Sequence, residues 1–133
     1  MIAVCIATYN HESFIAQCIE SVLAQICDEP IRIYIGERGD KAIRKYNKFI
    51  PKQKEGYFLR IQPKEIVLAG NDEQGTFYAL QTLEQLLKDN QLPVADITDY
   101  PEITFRGVVE GFYGAPWSHE ARLRHLKFYG QNK

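Results

Sequence analysis

The sequence predicts an α/β fold in which helices cover the faces of one mixed sheet. Short apolar runs alternate with longer segments whose apolar residues recur at helical spacing, in the order β-α-β-α-β-β-α-β-α. The chain has 133 residues, of which 45% are hydrophobic, and this is sufficient for one core. A (β/α)₈ barrel needs about 250 residues. We therefore expect the last strand and helix to be a truncated barrel start.

The first three elements predict a β-α-β unit. Ile2 to Ala7 and Ile31 to Ile35 are short, apolar and rich in branched residues, as is typical of buried strands. The intervening segment predicts a helix with Ser13 as its N-cap and Pro30 beyond its end. Its apolar face consists of Phe14, Ile15, Cys18, Ile19, Val22 and Leu23. The two strands are expected to be parallel, with a right-handed crossover.

A short helix and a surface loop are predicted next. Gly36 to Asp40 indicates a turn, and Asp40 is expected to cap a helix whose Ile43 and Tyr46 face inward. The polar run from Pro51 to Glu55 predicts a loop on the surface.

A hairpin and a long helix form the centre of the prediction. Tyr57 to Ile61 and Ile66 to Ala69 are separated by a short turn, which favours antiparallel pairing. Asn71 and Asp72 are expected to open the helix. The predicted buried stripe is Phe77, Leu80, Leu83 and Leu87, and the predicted exposed residues are Glu73, Gln81, Gln85 and Lys88.

The C-terminal third predicts a linker followed by a strand and a helix. Asp96 to Pro101 indicates the linker, and Ile103 to Glu110 indicates the strand. Ser118 is the expected N-cap of the last helix. The apolar residues of this helix are Ala121, Leu123 and Leu126.

Charge and cysteine content exclude several classes of function. The 16 Lys and Arg residues nearly balance the 17 Asp and Glu residues, so we expect neither nucleic acid nor a membrane as partner. No signal peptide is visible, which predicts a cytoplasmic protein. Cys5, Cys18 and Cys27 lack metal-ligand spacing and are interpreted as small apolar residues in a reducing compartment. We expect no metal and no cofactor.

The turn from Gly111 to Gly114 is the strongest candidate site. It follows a predicted barrel strand, and catalytic residues of such barrels gather at the C-terminal ends of strands. Gly111 lets the backbone approach a ligand closely, and Tyr113 offers an aromatic face and a hydroxyl. The alternative interpretation is a strand-to-helix turn with a buried aromatic pair.

Three other clusters favour structural interpretations. Gly36 and Gly39 before a helix resemble a phosphate cradle, but a glycine turn explains them better. Ser118 beside His119 and Glu120 has the residue types of a triad, although adjacent helical positions do not face one another. Glu110 is a lone carboxylate and cannot perform a two-carboxylate hydrolysis by itself. The histidines show no metal spacing.

The N-terminal part of the chain resembles the start of a family 2 glycosyltransferase. The matching segments are Val4 to Asn10, Phe14-Ile15, Cys18 to Gln25 and Ile33 to Glu37. The resemblance implies that Thr8, Tyr9 and Glu37 contact the nucleotide of a sugar donor. The pattern then departs, because Arg38-Gly39-Asp40 follows and no Asp-x-Asp metal motif occurs. Nucleotide-sugar binding without transfer is therefore one alternative function.

A longer part, from about residue 33 to Lys133, resembles glycoside hydrolase family 84, the bacterial relatives of the O-GlcNAcases. The matching segments are Gly36 to Lys41, Lys54 to Tyr57, Lys64 to Asp72, Gly75 to Leu83 and Gly107 to Trp117. This resemblance implies a hexosaminidase domain-2-like fold followed by the first strand and helix of the catalytic barrel. It also implies an N-acetylglucosamine-type sugar as ligand, with Gly111 and Tyr113 as its contacts.

The same resemblance implies a retaining, substrate-assisted glycosidase with two adjacent catalytic aspartates. This sequence contains no Asp-Asp pair, so we expect no catalytic residue within it and no turnover by the chain alone. The expected organisation is a transferase-like unit over residues 1–37, a hexosaminidase-like portion over 38–101 in the same sheet, and a barrel start over 102–133. A chain with this organisation is a chimera of a glycosyltransferase-like part and a glycoside-hydrolase-like part. The other alternative is a structural module that self-associates through the exposed face of the barrel start.

Overall fold

The computed structural model describes residues 3–6, 31–89, 91–111 and 113–132. The chain divides into two compact units, Met1–Tyr100 and Pro101–Lys133. The strands of the first unit are β1 (Ala3–Ile6), β2 (Arg32–Glu37), β3 (Tyr57–Gln62), β4 (Glu65–Gly70) and β5 (Ala95–Asp99). The helical elements described in this unit are a 3₁₀ turn at Arg44–Tyr46 and helix α1 at Glu73–Leu86. The second unit contains helix α2 at His119–Gln131.

The first unit is built on a five-stranded mixed sheet in the order β1-β2-β4-β3-β5. β1 is parallel to β2, and β2 is parallel to β4 with Arg32 beside Glu65 and Glu37 beside Gly70. β3 is antiparallel to both β4 and β5. The predicted α/β class with a mixed sheet is confirmed, including the parallel opening pair and the hairpin.

The hairpin has a two-residue loop between Gln62 and Glu65. Because successive side chains of a strand point to opposite faces, each strand supplies both sides of the sheet. On one face, Ile35, Leu59 and Leu68 are fully buried and pack with Leu80 of α1. This face and the helix form the larger of the two apolar clusters.

The opposite face is covered by residues 41–50. Ile43, Tyr46 and Ile50 are buried there against Phe58 and Val67. The inward position predicted for Ile43 and Tyr46 is confirmed. Only one 3₁₀ turn forms in this segment, which is shorter than the predicted helix.

Helix α1 begins at the predicted position. Asp72 is its N-cap, and its carboxylate accepts hydrogen bonds from the Gly75 amide at 2.9 Å and the Glu55 amide at 2.8 Å. A Cβ atom at Gly75 would lie well inside 3.0 Å of the Gly56 carbonyl oxygen, and one at Gly70 would meet the Thr76 amide equally closely. Glycine at both positions therefore lets the helix approach the loops that precede it.

The buried face of α1 is rotated from the predicted one. Thr76, Ala79, Leu80 and Leu83 are buried, whereas Phe77 and Leu87 are half-buried. The expectation that Gln81 is exposed is wrong, since only 3% of this residue is exposed. The small residues on the Gly75 side allow the closest approach to the sheet, and this approach sets which side of the helix is buried.

The predicted linker from Asp96 to Pro101 is wrong, because Ala95–Asp99 forms edge strand β5. The Arg60 guanidinium donates two hydrogen bonds to the Asp96 carboxylate, at 2.9 and 2.6 Å. Tyr57 donates to Asp99 at 3.2 Å, and Ile97 packs on the core. Contacts from β3 thus hold a polar segment in the sheet that has little strand propensity of its own.

In the second unit, the predicted strand from Ile103 to Glu110 is wrong. These residues are irregular and exposed, and they pair with no strand in the part of the chain that the structure describes. A strand needs a neighbour for its backbone hydrogen bonds, so an apolar pattern alone does not form one.

Helix α2 begins at the predicted N-cap. The Ser118 hydroxyl accepts a hydrogen bond from the Ala121 amide at 3.2 Å. Of the apolar residues named for this helix, Ala121 is half-buried, and Leu123 and Leu126 are exposed.

The predicted first helix, with Ser13 and Cys18, and the turn at Cys27 that follows it lie outside the described residues. No helix within the described ranges has the length and apolar character needed to cross a membrane.

Candidate functional site

The candidate site lies in the second unit, in the segment that precedes α2. Gly111 and Tyr113 are both exposed, and the side chain of Tyr113 is fully accessible. A Cβ atom at Gly111 would lie 3.6 Å from Cε2 of Tyr113, so the ring is on the side of Gly111 where a side chain would project. The two residues that the sequence predicts as sugar contacts are therefore adjacent, and the buried aromatic pair of the alternative interpretation does not form at Tyr113.

Glu110 lies beside a cation from the first turn of α2. Its Oε2 atom is 3.9 Å from Nε of Arg122, and both side chains remain partly exposed. Arg122 is not among the residues predicted from the sequence. Arg122 lies one turn after the Ser118 cap, and helical side chains point toward the N-terminus of their helix. This position indicates that Arg122 can pair with a residue of the preceding segment.

Trp117 anchors the end of the segment to α2. Its ring meets the His125 ring edge-on, with centroids 4.2 Å apart, and His125 in turn lies 5.9 Å from the Tyr129 ring. His125 and Tyr129 are four positions apart, which places them on one helix face. His125 is thus a partly buried residue that packs between two aromatic rings.

A capped helix start completes this unit. The pKa of Glu120 is lowered by hydrogen bonding to its own backbone amide first and to Ser118 second. A negative charge near the first turn is also favoured by the helix dipole. These contacts fix the beginning of α2 and leave the adjoining Gly111 and Tyr113 open to a ligand.

Glu37, the predicted nucleotide contact, lies at the C-terminal end of β2 in the first unit. Burial raises the pKa of the Glu37 carboxyl, and the nearby Asp40, Glu73 and Asp72 raise it further. Such surroundings oppose a diphosphate. Thr8 and Tyr9, the other two predicted nucleotide contacts, lie outside the described residues.

The glycine turn beside Glu37 is closed by Asp40. The Asp40 carboxylate accepts a hydrogen bond from the Glu37 amide at 2.7 Å and fills the space that a Cβ atom at Gly36 would need. Gly39 has a φ of +105°, a conformation suited to glycine. The expectation that Asp40 caps the following helix is wrong, because its carboxylate bonds back into its own turn. The Asp40 carboxylate thus already accepts the hydrogen bond that the Glu37 amide would donate to a bound phosphate.

No group of three or more His, Cys, Asp or Glu side chains is arranged to hold a metal within the described ranges. The candidate site offers an aromatic ring, a phenol hydroxyl and a backbone carbonyl, next to the ion pair of Glu110 with Arg122. Such groups bind and orient a neutral, hydroxyl-rich ligand.

Two family models match the chain in succession. The model for glycosyl hydrolase family 20, domain 2, matches residues 16–100, and the model for β-N-acetylglucosaminidase matches residues 106–133. The first match includes residues 16–37, where the transferase resemblance also lies. The predicted resemblance to a hexosaminidase-type glycoside hydrolase is confirmed.

Individual proteins agree with these models. A β-hexosaminidase from Porphyromonas gingivalis is 30% identical over 106 residues, which cover 70% of this chain and 14% of that protein. The solved structures of CpGH84B and CpGH84D each cover 98% of the chain, with TM-scores of 0.74 and 0.73 at 31% and 22% identity. The chain spans 24% of CpGH84B and 25% of CpGH84D, about a quarter of each.

Proposed function

Because the chain belongs to glycosyl hydrolase family 20, domain 2, through residues 16–100, we propose that it forms the non-catalytic α/β domain and the beginning of the catalytic barrel of a β-N-acetylglucosaminidase. Of the enzyme families with this domain, we propose family 84. The observation that carries the proposal is the order of the two matches, since a β-N-acetylglucosaminidase match over residues 106–133 follows the domain-2 match directly.

The choice of family 84 is supported by CpGH84B, which aligns with 98% of the chain at 31% identity. That alignment extends through both units, so it includes the α/β domain and the segment with Gly111. The protein of which these are parts would act on a substrate with a terminal N-acetylglucosamine-type sugar.

We propose that the first unit is one hexosaminidase-type domain. The family 20 match begins at residue 16, and β1 and β2 belong to the same sheet as β3, β4 and β5. Both observations support a common origin for the regions before and after residue 37, in place of a transferase-like opening. The remaining unit, 101–133, then corresponds to the barrel start.

In this proposal, Gly111 and Tyr113 form part of the wall of a sugar pocket. Gly111 presents its carbonyl to the sugar hydroxyls without a side chain in the way, and the Tyr113 ring lies 3.6 Å from the position that a Cβ atom of residue 111 would take. Tyr113 would line the pocket for the N-acetyl group. The catalytic aspartate pair implied by the family has no counterpart in this sequence, so the chain alone is expected to show no turnover.

A graft tests the proposal. The aligned quarter of CpGH84B is replaced by residues 1–133, and release of nitrophenol from a 4-nitrophenyl N-acetyl-β-glucosaminide is compared with that of parent CpGH84B. We expect the graft to retain activity within about tenfold of the parent, because the aligned backbones place the barrel start similarly. A folded but inactive graft beside an active parent would contradict the proposed function.

A pair of glycine variants of the graft tests the sugar contact. Gly111→Ala places its new methyl group at an ordinary 3.6 Å from Tyr113, so the fold should tolerate it, while the approach of the sugar is blocked. We expect kcat/KM to fall about 10- to 100-fold. Gly107→Ala is the matched control, since nothing lies within 4 Å of its added methyl group. Equal kcat/KM for the two variants would refute a role for Gly111 in binding.

A further inference from the structure

Residues 41–54 form a basic segment in a chain whose formal net charge is -1. The segment contains no acidic residue and a large share of the chain's cationic side chains, namely Lys41, Arg44, Lys45, Lys48, Lys52 and Lys54. All of these side chains are exposed. The near neutrality of the whole chain therefore conceals a strong local concentration of positive charge.

The apolar side of the basic segment is already used in the core. Ile43, Tyr46 and Ile50 are buried against the sheet. The segment therefore points its cations outward and has no free apolar stripe for insertion into a bilayer.

Carboxylates neutralise only part of this charge. Nζ of Lys45 is 3.2 Å from Glu65, and the neighbouring Arg60 pairs with Asp96 at 2.6 Å. Within the part of the chain that the structure describes, the other five cations of the segment form no ion pair with a carboxylate. Unpaired and exposed, they are available to an external anion.

Arg38 holds the middle of the segment, from residue 47 to residue 51, in place. Its guanidinium donates to the carbonyl oxygens of Asn47 at 3.2 Å and Pro51 at 3.2 Å, and also to that of Ile50. The Phe49 ring stacks on Phe58, with centroids 5.1 Å apart. A fixed backbone reduces the entropy lost when the cations bind an extended anionic ligand.

We propose that the basic segment is a docking surface for an acidic polysaccharide, a chain that carries sulfate or carboxylate groups. The choice of a glycan rests on the proposed function, in which the protein acts on sugars. Four of the five unpaired cations are lysines, which act as separate point charges and therefore suit charged groups that are spaced along a polysaccharide chain. Phe49 is occupied by Phe58 and by the overlying Lys48 and Arg60, so it offers no free platform for bases.

Binding of the full chain to heparin and to hyaluronan, by titration calorimetry at 50 and 200 mM NaCl, tests the proposal. We expect binding to at least one of them at 50 mM, weakening about 100-fold at 200 mM, as five neutralised charges predict. A neutral chitin oligosaccharide should not bind to this surface. Absence of binding to both polyanions at 50 mM would overturn the proposal.

Charge reversal locates the surface. Lys48→Glu with Lys52→Glu should weaken binding at least about tenfold. Lys88→Glu with Lys127→Glu is the matched control, because both lysines are exposed, lie outside the segment and change the net charge equally. Equal losses in both double variants would contradict the location. The circular dichroism melting curve of each variant verifies that it is folded.

Comparison with other anionic ligands tests whether the basic segment prefers a polysaccharide. Tighter binding to single-stranded DNA or to phosphatidylserine vesicles than to either polysaccharide would overturn the choice of a glycan. Hydrolysis by the CpGH84B graft does not depend on these lysines. Failure of polyanion binding therefore leaves the proposed function standing, and an inactive graft leaves the binding result standing.

Discussion

The pKa of Glu37 reflects the burial of its carboxyl group and the charges around it. It lies where β2 ends, close to the N-terminus of α1 and to the turn closed by Asp40. Burial is the main reason why its pKa is raised, and three neighbouring carboxylates add to the effect. The ionised form of Glu37 is therefore less stable in the folded chain than in the unfolded chain.

The resulting pH dependence has a definite sign. Because the folded chain binds more protons than the unfolded chain between the two pKa values, the stability contribution of Glu37 falls as pH rises through that window. The unfavourable contribution is fully present once the pH exceeds the pKa of Glu37 in the folded chain. We expect Glu37→Gln to raise the free energy of unfolding at pH 7 by a small amount, up to about 0.5 kcal/mol. Urea titrations of the parent chain and the variant from pH 4 to pH 7 measure this difference in the free energy of unfolding.

The gain from Glu37→Gln should shrink as the pH approaches the ordinary pKa of a glutamate. Glu84→Gln is the control, because Glu84 is exposed on α1 and is not among the groups that surround Glu37. A gain that is constant over the pH range, or that grows toward pH 4, would show that the raised pKa is not its cause.

At the scale of elements, the close approach of α1 to the preceding loops reverses the usual effect of a glycine substitution. Alanine in place of a helical glycine normally stabilises by about 1 kcal/mol. At Gly75 the added methyl group would collide with the Gly56 carbonyl oxygen, which is itself held by the Asn71 amide at 2.8 Å. We expect Gly75→Ala to destabilise the chain by about 2 kcal/mol or more, measured by urea unfolding.

Gln74→Ala, at the exposed neighbouring position, is the comparison for Gly75→Ala. It changes helix propensity without a new contact and should leave stability within about 0.5 kcal/mol of the parent. A stabilising Gly75→Ala would mean that the helix can move away from Gly56 without loss.

The elements that the sequence predicts well are those whose signal is local. The β3-β4 hairpin and the Asp72 cap depend on residues within a few positions of each other. β5 was missed because Asp96 and Asp99 are held by Arg60 and Tyr57, more than thirty residues earlier. The strand propensity of the residues in β5 does not depend on partners that are so distant in sequence, so it does not predict this strand.

For the candidate site, the glycine-aromatic pattern predicts that Gly111 and Tyr113 contact a sugar, and this assignment stays a prediction. It could not predict the contact of Glu110 with Arg122 or that of Trp117 with His125, because both depend on how the segment folds back along α2. The expected strand at 103–110 had the right apolar pattern. Its formation depends on a hydrogen-bonding neighbour, and a pattern within one segment does not report whether there is one.

At the scale of the whole molecule, apolar exposure is concentrated in the second unit. Phe105 and Val109 are 94% and 95% exposed, and Tyr113, Leu126 and Phe128 are also exposed. Isolated apolar residues on a surface are ordinary, but a unit this small with so many of them favours association. Self-association through the barrel start remains a prediction of the sequence analysis.

Sedimentation velocity measures this association. We expect the full chain to form dimers or larger species as its concentration rises to about 100 µM. The shorter chain ending at Tyr100 should remain a monomer, since it lacks the exposed residues of the second unit. A full chain that stays monomeric throughout this range would contradict the prediction. A retained unfolding transition in the shorter chain verifies that its sheet is intact.

The position of β3 in the sheet, between β4 and β5, has a consequence for the order of folding. Two residues separate β3 from β4, whereas 32 residues lie between the end of β3 and the start of β5. Each doubling of a closed loop costs about 0.6 kcal/mol of chain entropy, so the four doublings between 2 and 32 amount to about 2.4 kcal/mol. We therefore expect β3 to pair with β4 first, because this pairing closes the loop with the smaller entropy cost. The free edge of β3 is then available for pairing with β5.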